Sequence, residues 1–459
     1  MIVDSSQSLA GFTAARDVAR SGRTRWRDSG STRMSALHEQ VIERALAQLN
    51  ANAPFKRCLL DTELRCGEVP VQALQFNDPQ TYRGTDAALD RVLRRPVAHA
   101  RPDANEQDFL DPFAITVLLT DGFQTVPTPA QGASDVNCAG GADPACLGSL
   151  LAARVRDGFG VWIGRVNMPF GGMYYPERPI DEMWPRIEAH VDDLNHNHPE
   201  WNGVQFGARH GRRGAPGGSF RWEGARPLLM IVLSRDVALG RNFGQRVGQF
   251  MRNEDTIFAR GAVGAASSAN RDAPDWSLSE FAPFDGATGH IDESLIRRTQ
   301  SGGAADAVRI APATRDARGV NVSIRCSLQG VATFPVHASV QRGATHPSFV
   351  DVVPSWRVEG APEPWLTVTP QPGTLDLTAS VDCRRLPQGS HTQTLGLYVE
   401  WQRNEARIAQ EWFWRDSVET SYEAPEKVYR LRELVMPPLM VATDRRGWLD
   451  HLRVTITRE

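Results

Sequence analysis

Two kinds of domain follow one another in this 459-residue chain: α/β with a doubly wound, mainly parallel sheet, then an all-β sandwich. Three observations predict them. Up to about residue 255, short apolar runs alternate with stretches of helical spacing, the order expected of strand–helix–strand units. From about residue 317 the apolar period drops to two, with Pro and Gly turns between segments. The length also exceeds what one core holds, since single cores rarely grow past roughly 250 to 300 residues.

In the first domain, MIVD (1–4) opens the sheet, and KRCLLDTELR (56–65) and VPVQALQF (69–76) read as strands joined by a turn at Cys66-Gly67. FAITVLLTDG (113–122) is the clearest buried strand; GVWIGRV (160–166) and PLLMIVLS (227–234) complete the set. Between them, SALHEQVIERALAQLN places Leu37, Val41, Ile42, Ala45 and Leu49 on one helical face. TDAALDRVL, LGSLLAARVRD and NFGQRVGQFM show similar spacing. Residues 256–316, rich in Gly, Ala, Asp and Ser, read as a linker or extension. The sandwich is assigned to 317–401, through VNVSIRCSL, FPVHASVQ, SFVDVVPSW, LTVTP, LDLTASVDC and HTQTLGLYVEW. A tail over 402–459, ending in HLRVTITRE, either extends the sandwich or packs back on the first domain.

Hydrophobic residues at 41%, charged residues at 23% and a net charge of −3 exclude disordered, coiled-coil and membrane-embedded classes. Lysine occurs only at Lys56 and Lys427, so the basic residues are nearly all arginine, read as the codon bias of a GC-rich genome rather than a phosphate-binding surface. No nucleic-acid partner is expected. No apolar run approaches the roughly 20 residues a membrane helix needs. No secretory signal precedes MIVD, and a strand with almost nothing ahead of it is what a start inside a longer precursor would give.

Six cysteines fall into three close or matched pairs: Cys58 with Cys66, Cys138 with Cys146, and Cys326 with Cys383. The first brackets LLDTELR and the second AGGADPA, both short enough for easy ring closure. Disulfides in an oxidising compartment are favoured over buried thiols, and metal-binding CxxC spacing is absent.

Asp4, Ser6 and Ser8 form DxSxS directly after a strand, so one carboxylate and two hydroxyls share a tight loop. Magnesium takes oxygen ligands and keeps several waters, so few carboxylates suffice. Thr85, at the start of a helical pattern, and Asp121, ending ITVLLT, would complete the set. Singly, each element reads as a helix cap or turn. Together, Asp4 and Asp121 fall at the carboxyl ends of strands, where open α/β sheets bind ligands.

On these residues the chain resembles the von Willebrand factor A family, whose metal-ion-dependent adhesion site has DxSxS, then a threonine, then an aspartate usually followed by Gly. Asp4, Ser6 and Ser8 match the first element, Thr85 in GTDAAL the second, and Asp121 in LLTDG the third. The resemblance implies a Rossmann-like fold over residues 1–255. It also implies Mg2+, with Mn2+ or Ca2+ as alternatives, held directly by the hydroxyls and through water by the aspartates, with a partner's carboxylate in the last position. Two stretches depart from the family: 9–34 is long, and 172–225 looks inserted.

A second candidate, His190, Asp192, Asp193, His196 and His198, offers zinc-type ligands, with a solvated helix end as the plainer reading. GARHGRRGAPGG reads as an exposed loop, with anion binding as its alternative, and GxSxG is absent. Downstream, Trp365, Leu366, Pro372, Gly373, Leu386, Pro387 and Gly389 resemble the turn and strand pattern of the BACON immunoglobulin-like domains. That resemblance implies an extracytoplasmic setting and carbohydrate contact, although Trp356 and Trp365 themselves read as core.

The expected function is non-enzymatic: Mg2+-dependent protein binding or adhesion at a bacterial envelope. The alternatives are an intracellular scaffold assembling an ATPase or defence complex in the cytoplasm and, last, a metal-dependent hydrolase.

Overall fold

The computed structural model describes residues 1–13, 34, 36–49, 55–66, 79–84, 87–94, 108–110, 112–122, 125–128, 132–135, 146–174, 180–197, 205–210, 219–253, 276–282, 287–296, 300–302, 308–327, 330–342, 350–404, 406–407, 435–443 and 447–458. They form two compact units, Met1–Pro283 with Glu405–Thr443, and Phe284–Asn404 with Asp444–Glu459. The first is mixed α/β, and the second is built of sheets that are antiparallel but for one parallel pairing, Gly319–Cys326 with Gly447–Arg458.

The first unit is organised by strands buried on both faces. β1 (Ile2–Asp4) is buried throughout and pairs in parallel with β2 (Cys58–Leu60) on one side and β4 (Ile115–Thr120) on the other. β3 (Leu64–Arg65) returns antiparallel on β2, closed by the Cys58–Cys66 disulfide. A small hairpin, β5 (Thr125–Thr128) with β6 (Gly132–Asp135), stands off the main sheet. Beyond β4 the sheet departs from expectation. β9 (Ser219–Ser234) lies between β4 and β7 (Gly160–Tyr174) and is antiparallel to both, and β8 (Gln205–His210) pairs on β9.

The sheet is therefore mixed rather than mainly parallel. Its cause is the stretch that looked inserted. The chain leaves β7, passes through a helix over Ile180–Asn197 and β8, and returns as the 16-residue strand β9 directly against β7. A helix over Val237–Asn253 then crosses to β10 (Trp276–Ala282), which pairs antiparallel with the far edge of β7. Part of the stretch read as a linker is thus an edge strand of the first unit.

Helices seal the sheet. Over Ala36–Leu49, eight residues wound as a π-helix run into an α-helix, and Leu37, Val41, Ile42 and Ala45 are fully buried with Leu49 packed beside them. These join Phe243, Val247, Phe250 and Met251 against Val3, Val117, Leu119 and Met230, the spacing of one amphipathic face each. Helices Leu147–Arg156 and Met436–Thr443 pack on one another. Arg154, fully buried, donates to the Leu93 carbonyl at 2.7 Å and the Arg94 carbonyl at 2.9 Å, and pairs with Asp108. It thereby satisfies carbonyls at the C-terminus of the short helix Asp90–Leu93 that would otherwise lack donors. The predicted strand at 69–76 lies outside the described residues.

The second unit is a sandwich. Its smaller sheet runs β12 (Gln300–Gly302), β16 (Val331–Val336), β20 (Leu377–Asp382), β19 (Leu366–Pro370). The larger runs β13 (Val308–Ile310), β15 (Gly319–Cys326), β22 (Gly447–Arg458), β21 (Ser390–Arg403), β18 (Val350–Glu359), with β14 (Thr314–Asp316) on β15. β11 (Thr288–Ile291) pairs with β17 (Ala338–Gln341). Alternation explains the core: Val320, Val322, Ile324 and Cys326 face Phe334, Val336, Leu377, Ala379 and Val381 across it. Cys326–Cys383 ties the two sheets.

Trp365 is fully buried in this core, and Trp356 packs against it while donating Nε1 to the Leu375 carbonyl at 2.7 Å, so both serve as core. The tail takes both of its expected courses. Glu405–Thr443 belongs to the first unit, and β22 becomes an inner strand of the sandwich, parallel to β15 and antiparallel to β21. Among the described residues no helix is long and apolar enough to cross a membrane.

Candidate metal centre

Strand order reverses at β1, whose two parallel neighbours β2 and β4 lie on opposite sides of it. Such a switch point opens a crevice at the carboxyl ends of the strands. Asp4 ends β1 and Asp121 follows β4, and the register Val3↔Leu119 sets Asp4 beside Thr120. Both carboxylates are buried, Asp4 completely.

The DxSxS loop is held by its own side chains. Asp4 Oδ1 accepts the Ser6 backbone N–H at 2.9 Å, a local turn that brings the two hydroxyls round: Ser6 Oγ and Ser8 Oγ lie 2.9 Å apart. Ser5 takes no part in the crevice and donates both N–H and Oγ to the Leu60 carbonyl, anchoring the loop to β2. Asp4 Oδ2 accepts the Thr120 hydroxyl at 2.8 Å. Thr120 Oγ1 in turn accepts the Gly122 N–H at 3.1 Å, and Gly122 stands at φ 86°, a conformation glycine adopts without cost. The Gly122 N–H thereby fixes the Thr120 hydroxyl, which is aimed at Asp4.

Thr85 lies outside the described residues. Its neighbour Gly84 forms a parallel bridge to Ser6, accepts the Gln7 N–H at 2.8 Å and donates to the Ser5 carbonyl at 3.0 Å. The second element is thus pinned against the first by main-chain bonds one residue before the threonine.

Burial, followed by the charge of Asp121, pushes Asp4 up to about 7. Tyr82, also buried, is raised by burial and by Asp4. Two carboxylates in one dry crevice call for positive charge. Part of it comes from a residue that sequence reading missed. Arg226 Nη2 donates to Asp121 Oδ2 at 2.7 Å and Nη1 to the Ser8 carbonyl at 2.9 Å. Its guanidinium carbon lies 4.9 Å from the Phe170 and Tyr174 ring centroids and 5.7 Å from that of Phe12.

The residues present fit a hard cation. An octahedral ion with ligands at about 2.0–2.1 Å has neighbouring ligands about 2.9 Å apart, the spacing of the two serine hydroxyls here. Both Asp4 oxygens already accept hydrogen bonds, which suits contact through water. Two carboxylates with hydroxyls make a site of low charge. Among the described residues, no three His, Cys, Asp or Glu side chains converge on a point.

For the other candidate, His190, Asp192 and His196 lie on helix Ile180–Asn197, with Asp192 and His196 exposed; His198 and the Asp193 side chain lie outside the described residues. GARHGRRGAPGG enters β8 only through its first four residues, and 211–218 are likewise outside. Of the cysteines, Cys58–Cys66 and Cys326–Cys383 are bonded as paired from the sequence, Cys146 is disulfide-bonded, and Cys138 falls outside the described residues.

Arg226 had no signal in the sequence: it stands just before PLLMIVLS, and only the antiparallel placement of β9 brings it to this crevice. No family model, curated protein or solved structure matches this chain.

Proposed function

We propose that the first unit is a metal-ion-dependent binding domain of the von Willebrand factor A type. In this reading Mg2+ takes Ser6, Ser8 and Thr85 directly and Asp4 and Asp121 through water, and leaves one position for the carboxylate of a protein partner. The observation that carries it is the meeting of Asp4, Ser6, Ser8 and Asp121 at the carboxyl edge of β1 and β4, from segments 113 residues or more apart in the case of Asp121. The bound ion would supply a hard Lewis-acid position; the protein supplies the oxygen-lined loop and the dry setting that strengthens charge–charge contact. Mn2+ and Ca2+ are the alternative ions. The role is binding, with no catalytic step.

Isothermal titration of the full chain with Mg2+ and Mn2+ tests the site. A saturable single site is expected, lost in Asp4→Ala and Asp121→Ala. Retention of an acidic, Asp-containing peptide should then require Mg2+, and retention that persists in chelator would sink the reading.

The second unit is proposed to be a BACON-type immunoglobulin-like domain of an extracytoplasmic adhesion protein, with carbohydrate as a further ligand class. Its support is the disulfide across the sandwich, since such bonds persist in oxidising compartments. The disulfides weigh against the intracellular scaffold, and mass measurement of alkylated protein with and without reductant separates the two.

A further inference from the structure

We infer that Arg226 is the resident cation of the candidate metal centre, and that a divalent ion must compete with it for Asp121. This rests on the metal-binding reading above and adds what sets the affinity.

The guanidinium is built into the site. Arg226 is 2% exposed, and the Asp121 side chain it meets is fully buried. One arm holds that carboxylate and the other holds the main chain of the DxSxS loop at Ser8, so a single side chain clamps the first and third metal elements together. Phe12, Phe170 and Tyr174, all buried, surround it with ring faces that favour a cation. The cage itself depends on a close approach: a Cβ at Gly11 would come within 2.3 Å of Phe170 Cζ, and one at Gly172 within 2.7 Å of the Gly11 Cα.

Topology explains the delivery. The register pairs Thr120 with Leu229, so β9 runs three residues past the end of β4 before Arg226 is reached. A parallel neighbour at this place would have offered its carboxyl end and loop. The antiparallel β9 offers residues of a strand still hydrogen-bonded to β7, and hence a rigidly mounted side chain.

Charge then decides the competition. Two sites differ by one charge whatever the protonation of Asp4: the parent, with Arg226, and a second, more negative one without it. A dication is attracted more strongly to the second site, and it is also spared the repulsion of a guanidinium in a crevice of low dielectric. The paired form keeps the loops in place without metal. Ion binding requires Asp121 to exchange Arg226 for the ion's water shell.

The test measures Mn2+ binding by electron paramagnetic resonance, and thermal midpoints in chelator and in Mg2+, on the full chain, Arg226→Met and Arg226→Lys. Arg226→Met should bind Mn2+ at least about tenfold more tightly than the parent and lose roughly 10 °C in chelator, most of it regained with Mg2+. Arg226→Lys keeps the charge and should bind Mn2+ within about threefold of the parent. If Arg226→Met folds only in the presence of ion, refolding in Mn2+ against refolding in chelator reads the same competition. Affinities of Arg226→Met and parent equal within twofold would overturn the inference while leaving the metal site standing. Binding by neither protein would remove both.

Discussion

Thr120 Oγ1 donates to Asp4 Oδ2 at 2.8 Å, joining the ends of two adjacent parallel strands from positions 116 residues apart in the chain. The hydroxyl is fully buried, and it also accepts the Gly122 N–H. Thr120→Val keeps shape and leaves a buried carboxylate oxygen short of a donor. We expect a loss of about 1–3 kcal/mol in urea unfolding, together with weaker Mn2+ binding. A neutral result on both counts would mean that Asp4 is oriented by Ser6 alone.

Gly84 gives a steric prediction. A Cβ there would lie 2.5 Å from the Asp61 Cβ and 3.2 Å from the Ser5 carbonyl oxygen, so Gly84→Ala must push the strand-like bridge to Ser6 apart. Overpacking of this kind costs about 1–3 kcal/mol. Because the displaced chain leads straight to Thr85, ion affinity should fall with stability. Equal ion affinity in Gly84→Ala and parent would separate the bridge from the site.

His38 sets an acid limit. Burial, chiefly, lowers it from an ordinary 6.5 to about 3, so the folded chain refuses a proton that the unfolded chain accepts. Stability contributed by the neutral ring is complete above pH 6.5 and declines as pH falls toward 3, by up to about 1.4 kcal/mol per pH unit. His38→Leu removes the titration, and its unfolding free energy should fall less steeply between pH 6.5 and 4.5 than that of the parent. Parallel slopes for the two proteins would refute the assignment.

The disulfides should differ in weight. Cys326–Cys383 closes a span of 57 residues and Cys58–Cys66 one of 8. Loop entropy then gives about 4 kcal/mol for the first and about 2.5 kcal/mol for the second. Paired alanine variants, unfolded in guanidinium, should rank in that order, and the reverse order would point to native contacts as the dominant effect.

Much of this was legible in the sequence, and the reason is local. DxSxS, ITVLLT and the helical face of Leu37, Val41, Ile42 and Ala45 each carry their pattern within a few residues, and each lies where that pattern places it. Period-two alternation likewise located β15, β20, β21 and β22. Strand direction was not legible. PLLMIVLS is buried on both faces, and a buried run looks the same whether it is parallel or antiparallel to its neighbour, so the pattern of β9 could not announce that Arg226 would overhang Asp121. Nor could a tail strand declare its partners, since the apolar face of HLRVTITRE fits any position in a sandwich.

The place of β22 bears on how the molecule can be handled and how it is made. Between β21 and β22 the chain leaves the sandwich, contributes Glu405–Thr443 to the other unit, and comes back. The two units are interleaved along the chain, so no single cut separates them. A fragment ending at Asn404 would lack Leu452, Val454 and Ile456 and present two bare strand edges, on β15 and β21, to any other chain in the tube. During synthesis the sandwich stays open until its inner strand has left the ribosome, by which time every residue of the first unit is already available to fold.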